Sequence, residues 1–166
     1  MIGKWASLET RFANGIAAGP LPEDPGLGRC YIWMRSVTER GYGKLQDKGR
    51  QIYVHRYAWF LAYGEWPTKH LDHRCRNPRC VRIDHLREVT HKQNIENHSG
   101  RPNASNKTSR YRGVHLTGGK WIAGFTHNGK HHHVGTFTDE DAAGNAVRLA
   151  RNECFTHNDA DRKEAL

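Results

Sequence analysis

The chain has 166 residues, 26 Lys and Arg against 17 Asp and Glu, a net charge of +9, and 36% hydrophobic residues. No apolar run approaches the ~20 residues a bilayer span needs, and Met1-Ile2-Gly3-Lys4-Trp5 lacks the apolar stretch of a signal peptide. A transmembrane chain is excluded, a cytoplasmic one is expected, and the basic balance favours polyanionic partners, nucleic acid first.

The length fits one medium domain or two small ones. In chain order, a short helix is expected before the break Gly19-Pro20-Leu21-Pro22-Glu23-Asp24-Pro25-Gly26. Residues 30–34 and 51–54 read as strands, with Gly41-Tyr42-Gly43 as the turn between them. Residues 55–63 place Tyr57, Ala58, Phe60 and Leu61 on one helical face. Residues 86–89 read as a short strand, and Thr90 as the cap of a helix carrying Asn94. Residues 99–108 are polar and aperiodic, a linker. Beyond it, residues 111–116, 120–127 and 130–136 read as three strands, joined by Thr117-Gly118-Gly119 and by Asn128-Gly129, a hairpin dipeptide. Thr138 is the expected cap of a last helix, with acids in its first turn and Ala142, Ala143, Ala146, Val147, Leu149 and Ala150 at helical spacing.

Charge is uneven along the chain. Residues 101–133 hold six basic and no acidic side chains, whereas residues 134–166 hold four basic and seven acidic ones. A stretch without carboxylates suits a phosphate-facing surface; the alternative is an ordinary solvated face. Within it Arg110, Arg112, Lys120 and Lys130 alternate with His and aromatic residues, which suits phosphate and base contact. His131 and His133 share a face of their strand, since strand side chains alternate.

Cys75-Arg76-Asn77-Pro78-Arg79-Cys80 followed by His85 has the form C-x4-C-x4-H. Three ligands of this kind in eleven residues suit tetrahedral zinc, with Cys30 the natural fourth and Cys154 a small thiol on the apolar side of the last helix. The alternative is two packed thiols and a surface histidine. Just before lies Leu71-Asp72-His73, and Asn94 follows 21 residues after His73. Asp and Asn oxygens are hard ligands suited to Mg²⁺, and a neutral His can take a proton from water.

These motifs, together with Cys30-Tyr31-Ile32-Trp33, Gly41-Tyr42-Gly43, Val54-His55-Arg56, Asp84-His85-Leu86 and Val89-Thr90, resemble the HNH endonuclease superfamily (ββα-metal fold), above all its phage and intron homing members and their His-Cys-box group. The resemblance implies His73 as general base, Asp72 and Asn94 as ligands of a catalytic Mg²⁺ or Mn²⁺, and a structural zinc on Cys30, Cys75, Cys80 and His85. The last motif position is Asn rather than His, which binds transition metals less tightly. His91 and His98 lie near it, His98 one turn on as a further helper or a surface residue. Arg56 either reaches the scissile phosphate or makes a structural ion pair.

Ser109-Arg110-Tyr111-Arg112-Gly113-Val114-His115, Gly119-Lys120-Trp121-Ile122-Ala123, Gly129-Lys130, Val134-Gly135-Thr136-Phe137 and Asp141-Ala142-Ala143 resemble the AP2/ERF DNA-binding domain. That resemblance implies a sheet laid in the major groove of duplex DNA, with Arg112, Gly113, His115, Trp121, His131 and His133 at contact positions. Here His stands where Arg or Trp is frequent in the plant domains, and Gly124 and Thr126 fall at positions often charged there, so the fold carries over but the target sequence does not.

The expectation is therefore an α+β chain: residues 1–27 packing on a nuclease core, a zinc-stapled HNH domain at 28–98, a linker at 99–108, an AP2-like domain at 109–155 and a tail at 156–166. Its expected activity is site-specific cleavage of double-stranded DNA to 5′-phosphate and 3′-hydroxyl ends, by a monomer or weak homodimer in a phage-infected or mobile-element-bearing host. The alternative is a non-catalytic DNA-binding regulator that retains the zinc-stapled fold.

Overall fold

The computed structural model describes residues 6–22, 24, 26–97 and 108–162. The chain divides into two compact units, Met1–His91 and Lys92–Leu166. Most of the expected linker and His98 lie outside the described residues. The division falls before residue 98 because the last residues of the helix His91–Glu96 are tied into the second unit: Arg112 donates to the Ile95 and Glu96 carbonyls, and Asp159 N to Asn97 Oδ1.

The first unit begins with α1 (Leu8–Ala13), capped by Ser7, whose hydroxyl accepts from Thr10 N at 3.1 Å. Phe12 lies at 6.1 Å from the Trp33 ring and edge-on to Tyr57 at 5.2 Å. Around them Leu45, Val54, Ala58 and Val81 complete a core rich in rings. Three separate antiparallel pairs surround it: β1 (Ile16–Ala18) with β2 (Tyr31–Trp33), β3 (Lys44–Asp47) with β4 (Arg50–Tyr53), and β5 (His70–His73) with β6 (Leu86–Val89).

Gly41-Tyr42-Gly43 does lie in a turn between β2 and β3, where Thr38 N donates to the Tyr42 carbonyl and Gly41 N to the Thr38 carbonyl. β3 and β4 are joined by a second turn the sequence did not mark, Lys48-Gly49, both at positive φ (45° and 83°), the geometry a two-residue hairpin demands. Gly43 lets the chain pass under the core, where a Cβ would stand 2.4 Å from Val54 Cγ2. β1, β3 and β5 do not stand out in the sequence, whereas β4 and β6, equally short, do. Helix α2 (Val54–Tyr63) follows β4 directly, buries Val54, His55, Tyr57 and Ala58, and ends at the left-handed Gly64.

In the second unit β7 (Val114–Thr117), β8 (Lys120–His127) and β9 (Lys130–Phe137) form one antiparallel sheet in that order. Both connections are two-residue turns at positive φ, Gly118-Gly119 and Asn128-Gly129. Helix α4 (Glu140–Cys154) covers one face, and Val114, Ala123, Phe125, Ala143, Val147 and Phe155 close the core between them. The cap is Asp139 rather than Thr138: its carboxylate accepts from Ala142 N at 2.8 Å. Gly144 exists for close packing, since a Cβ there would lie 2.5 Å from the Tyr111 ring. A short α5 (Asp159–Arg162) is held by the buried Arg151, which donates to Asp161 Oδ2 and to the Arg112 carbonyl, each at 2.6 Å. Among the described residues no helix is long and apolar enough to cross a membrane.

Candidate active site and metal centre

The residues that form the Cys/His centre come from three places. Cys75 and Cys80 bound the loop after β5, and His85 ends a 3-10 turn at Ile83–His85. Cys30, 45 positions before Cys75, arrives because β2 pairs with that loop: Ile32 bridges Cys80, Val81 N donates to the Tyr31 carbonyl and Trp33 N to the Arg79 carbonyl. The three Sγ atoms and a His85 nitrogen lie within 4.8 Å of one another. His85 turns Nδ1 to Cys30 Sγ and Cys80 Sγ, 3.5 Å from each. Cys30, Cys80 and His85 are buried and Cys75 is half-buried.

The chemistry of this donor set suits a soft divalent cation. Burial raises the Cys30 thiol above its usual value, and the Cys80 anion nearby raises it further. The hydrogen bond from Cys75 holds Cys80 well below the ordinary thiol range and raises Cys75 in turn. Crowded sulfurs that cannot all ionise together need positive charge among them. A Cys₃His set of this compactness fits tetrahedral zinc. Cys154 stands apart, half-buried against the core of the second unit.

His73 ends β5 beside this centre. It is buried, and its Nε2 lies 3.1 Å from the Cys80 carbonyl. A carbonyl only accepts, so Nε2 carries the proton and Nδ1 is the basic nitrogen. Burial pushes the imidazole below its usual pKa, opposed by the bond to Cys80. Tyr42 and His55 pack on the same ring, at 6.0 and 5.0 Å.

Asp72 alternates to the other side of β5. Arg87, its register partner on β6, donates from Nε at 3.0 Å and Nη2 at 2.9 Å to Asp72 Oδ2. Asn94 lies half-buried on α3 (His91–Glu96), in the second unit. Arg56 faces inward to the loop before β5, with Nη2 2.8 Å from the Pro67 carbonyl and Nη1 3.4 Å from that of Lys69. Its partners are backbone oxygens, not a carboxylate as a structural ion pair would need.

In the second unit the face of the sheet away from α4 carries His115, Ile122, Thr126, His131 and His133, since Val114, Ala123 and Phe125 face the core. His131 pairs with Thr126 and His133 with Gly124, so the two histidines share this outer face. His115, Ile122, Thr126 and His131 border a cavity of about 410 Å³, floored by Gly113 and Gly124. Gly113 sits at φ +82°, where a Cβ would meet the Gly124 carbonyl at 2.3 Å. Lys120 and Lys130 are exposed at the hairpin ends.

Three expected contact residues are placed otherwise. Trp121 is half-buried against the core. Arg112 is turned inward over the Phe155 ring, bonded to the α3 carbonyls. Arg110 pairs with Asp141, which also accepts from Tyr111 Oη at 2.6 Å, while Ser109 Oγ donates to Glu140 at 2.9 Å. The segment without carboxylates thus borrows two from the first turn of α4. Sequence distance hid that pairing.

Over 68 residues the chain is 38% identical to Protein 7.7 of Escherichia phage T7, a stretch that covers 40% of this chain and 52% of that protein. The chain therefore spans about half the length of the curated relative it matches. No solved structure matches it. Residues 52–95 match the HNH endonuclease family, and that stretch holds α2, β5 with His73, the cysteine loop, β6 and Asn94.

Proposed function

We propose that the chain is a divalent-metal-dependent DNA endonuclease of the HNH homing type, whose second unit reads duplex DNA as an AP2-like module. The observation that carries this reading is the placement of His73: buried, fixed through Nε2 on the Cys80 carbonyl beside a Cys₃His centre, inside the segment similar to HNH endonucleases. The order β5, β6, α3 is also the order a ββα-metal motif needs. For the second unit the support is a three-stranded antiparallel sheet backed by one helix, with exposed lysines and histidines and a net basic chain.

In this mechanism His73 Nδ1 accepts a proton from water as its oxygen attacks phosphorus. The P–O3′ bond breaks, leaving a 5′-phosphate, and the 3′-oxygen takes a proton to become the 3′-hydroxyl. Asp72 would be the first unit's ligand to Mg²⁺ or Mn²⁺, which when bound would neutralise charge developing on the phosphate and the departing oxygen. Zinc on Cys30, Cys75, Cys80 and His85 would fix the loop whose carbonyl orients His73. His115, His131, His133, Lys120 and Lys130 form the proposed DNA-facing surface, with Gly113 shaping its floor. Arg110, Arg112 and Trp121 support that surface from behind, and Arg56 braces the approach to β5.

The test is cleavage of supercoiled plasmid with Mg²⁺ or EDTA, wild type beside His73→Ala. Removing a general base lowers the rate roughly 10²–10⁴-fold, with DNA binding retained; an open-circle product marks a nickase and a linear product a double-strand cutter. A second reading, a DNA-binding regulator that keeps the fold, is favoured by the engagement of Asp72 with Arg87. Selective DNA binding without cleavage under any divalent metal would establish it instead.

A further inference from the structure

We propose that His55 is a positioning residue for His73, holding the imidazole of the general base in its working orientation by ring-on-ring packing. The inference rests on the reading of His73 as base.

His55 lies in the first turn of α2 and His73 at the end of β5, 18 positions later. Both are 6% exposed. Their rings meet edge to face, 5.0 Å between centroids at 62°. Such a contact fixes ring orientation as well as distance, because the edge of one ring is polarised against the face of the other. Tyr42 packs against both rings, at 5.5 Å from His55 and 6.0 Å from His73, and Tyr53 backs His55 at 5.8 Å.

His55 Nδ1 is buried and has no hydrogen-bond partner among the described residues. The observed contact of His55 with His73 is ring against ring. His55 is also uncharged: burial, with His73 and Arg56 nearby, pushes its pKa down to about 3. A charged ring at that place would repel the proton that His73 must accept.

The His73 ring then has two constraints of different kind. The Cys80 carbonyl holds one nitrogen, which leaves the ring able to swing about that bond. His55 packs on the ring itself and stops the swing. Misplacement of a reacting group by about 1 Å costs up to 10²-fold in rate, so the second constraint has a kinetic value that stability does not report.

The experiment measures single-turnover plasmid cleavage by the full chain, with zinc content and thermal unfolding checked for every variant. His55→Leu fills the space without a ring, and His55→Phe restores the ring. The expected result is a roughly tenfold or greater loss for His55→Leu, with the DNA concentration at half-maximal rate unchanged, and a rate within about threefold of wild type for His55→Phe. In a His73→Ala background His55→Leu is expected to cost nothing further, because its effect runs through His73.

A wild-type rate for His55→Leu, an equal loss for His55→Phe, or the same loss in both His73 backgrounds would overturn the proposal. If His55→Leu does not fold, His55→Met takes its place in the same cycle. Should His73→Ala itself cut like the wild type, the base assignment falls, a result plainly separate from failure of the His55 cycle alone.

Discussion

The two units solve the problem of a small core in opposite ways. The second unit joins its strands into one sheet and lays a 15-residue helix across it, so most of its apolar groups meet on one continuous surface. The first unit splits six strands into three pairs and gathers rings from α1, β2 and α2 between them. Two-stranded pairs are marginal alone, so the first unit depends on what ties its separate pairs together. The Cys₃His centre reinforces the backbone bridge that ties β2 to the loop between β5 and β6. The catalytic histidine of the proposed reaction hangs from that same loop through the Cys80 carbonyl.

The largest expected difference between the units comes from withdrawing the zinc proposed for the Cys₃His centre. Structural zinc contributes roughly 10–16 kcal/mol to folding in small metal-dependent domains. Chelation, or Cys80→Ser, is expected to unfold the first unit and leave the second protected, which hydrogen exchange followed by mass spectrometry reads segment by segment. Equal loss of protection in both units would show that the stability of the two is shared.

The reciprocal change strikes the second unit. Gly113→Ala combines a left-handed backbone with a Cβ 2.3 Å from the Gly124 carbonyl. It is expected to destabilise that unit by roughly 3 kcal/mol, seen as a lower unfolding temperature for β7–β9 and α4 with zinc content unchanged.

A smaller effect distinguishes the units by pH. His55 titrates near 3 when folded and near its ordinary 6.5 when unfolded, so the unfolded chain binds more protons between these values. Its contribution is complete above about pH 6.5 and is lost as the pH falls toward 3. Between pH 6.5 and 5 the wild type should lose about 2 kcal/mol that His55→Phe keeps, measured by urea unfolding followed through the aromatic core of the first unit. Parallel curves for the two proteins would show that His55 is not held neutral.

The mildest test is the helix cap. Asp139→Ala removes the bond to Ala142 N and should cost about 1 kcal/mol in the second unit alone. Thr138→Ala should cost little, and the reverse ranking would restore Thr138 as the cap.

Local pattern carried a large part of this molecule. The helices α2 and α4 showed through because helical periodicity repeats within ten residues, although Leu61 and Leu149, expected on their apolar faces, are exposed. Asn128-Gly129 and Gly118-Gly119 marked their hairpins, since only a few residue types accept positive φ at both turn positions. The C-x4-C-x4-H spacing marked three members of the Cys₃His cluster for the same reason: ligands that share one loop are close in sequence.

What only the tertiary structure decided are pairings between distant residues. Cys30, already the fourth ligand the sequence suggested, reaches the centre because Ile32 bridges Cys80. Asp72 meets Arg87 because β5 and β6 align in one register. Asp141 reaches Arg110, and the α3 carbonyls turn Arg112 inward, because α4 and α3 pack where no short-range pattern could foretell. His55 meets His73 only when α2 docks beside β5. Residue type and spacing state which groups can do chemistry; which of them face one another is settled by long-range burial, where a charge must find a partner and a ring must find a neighbour.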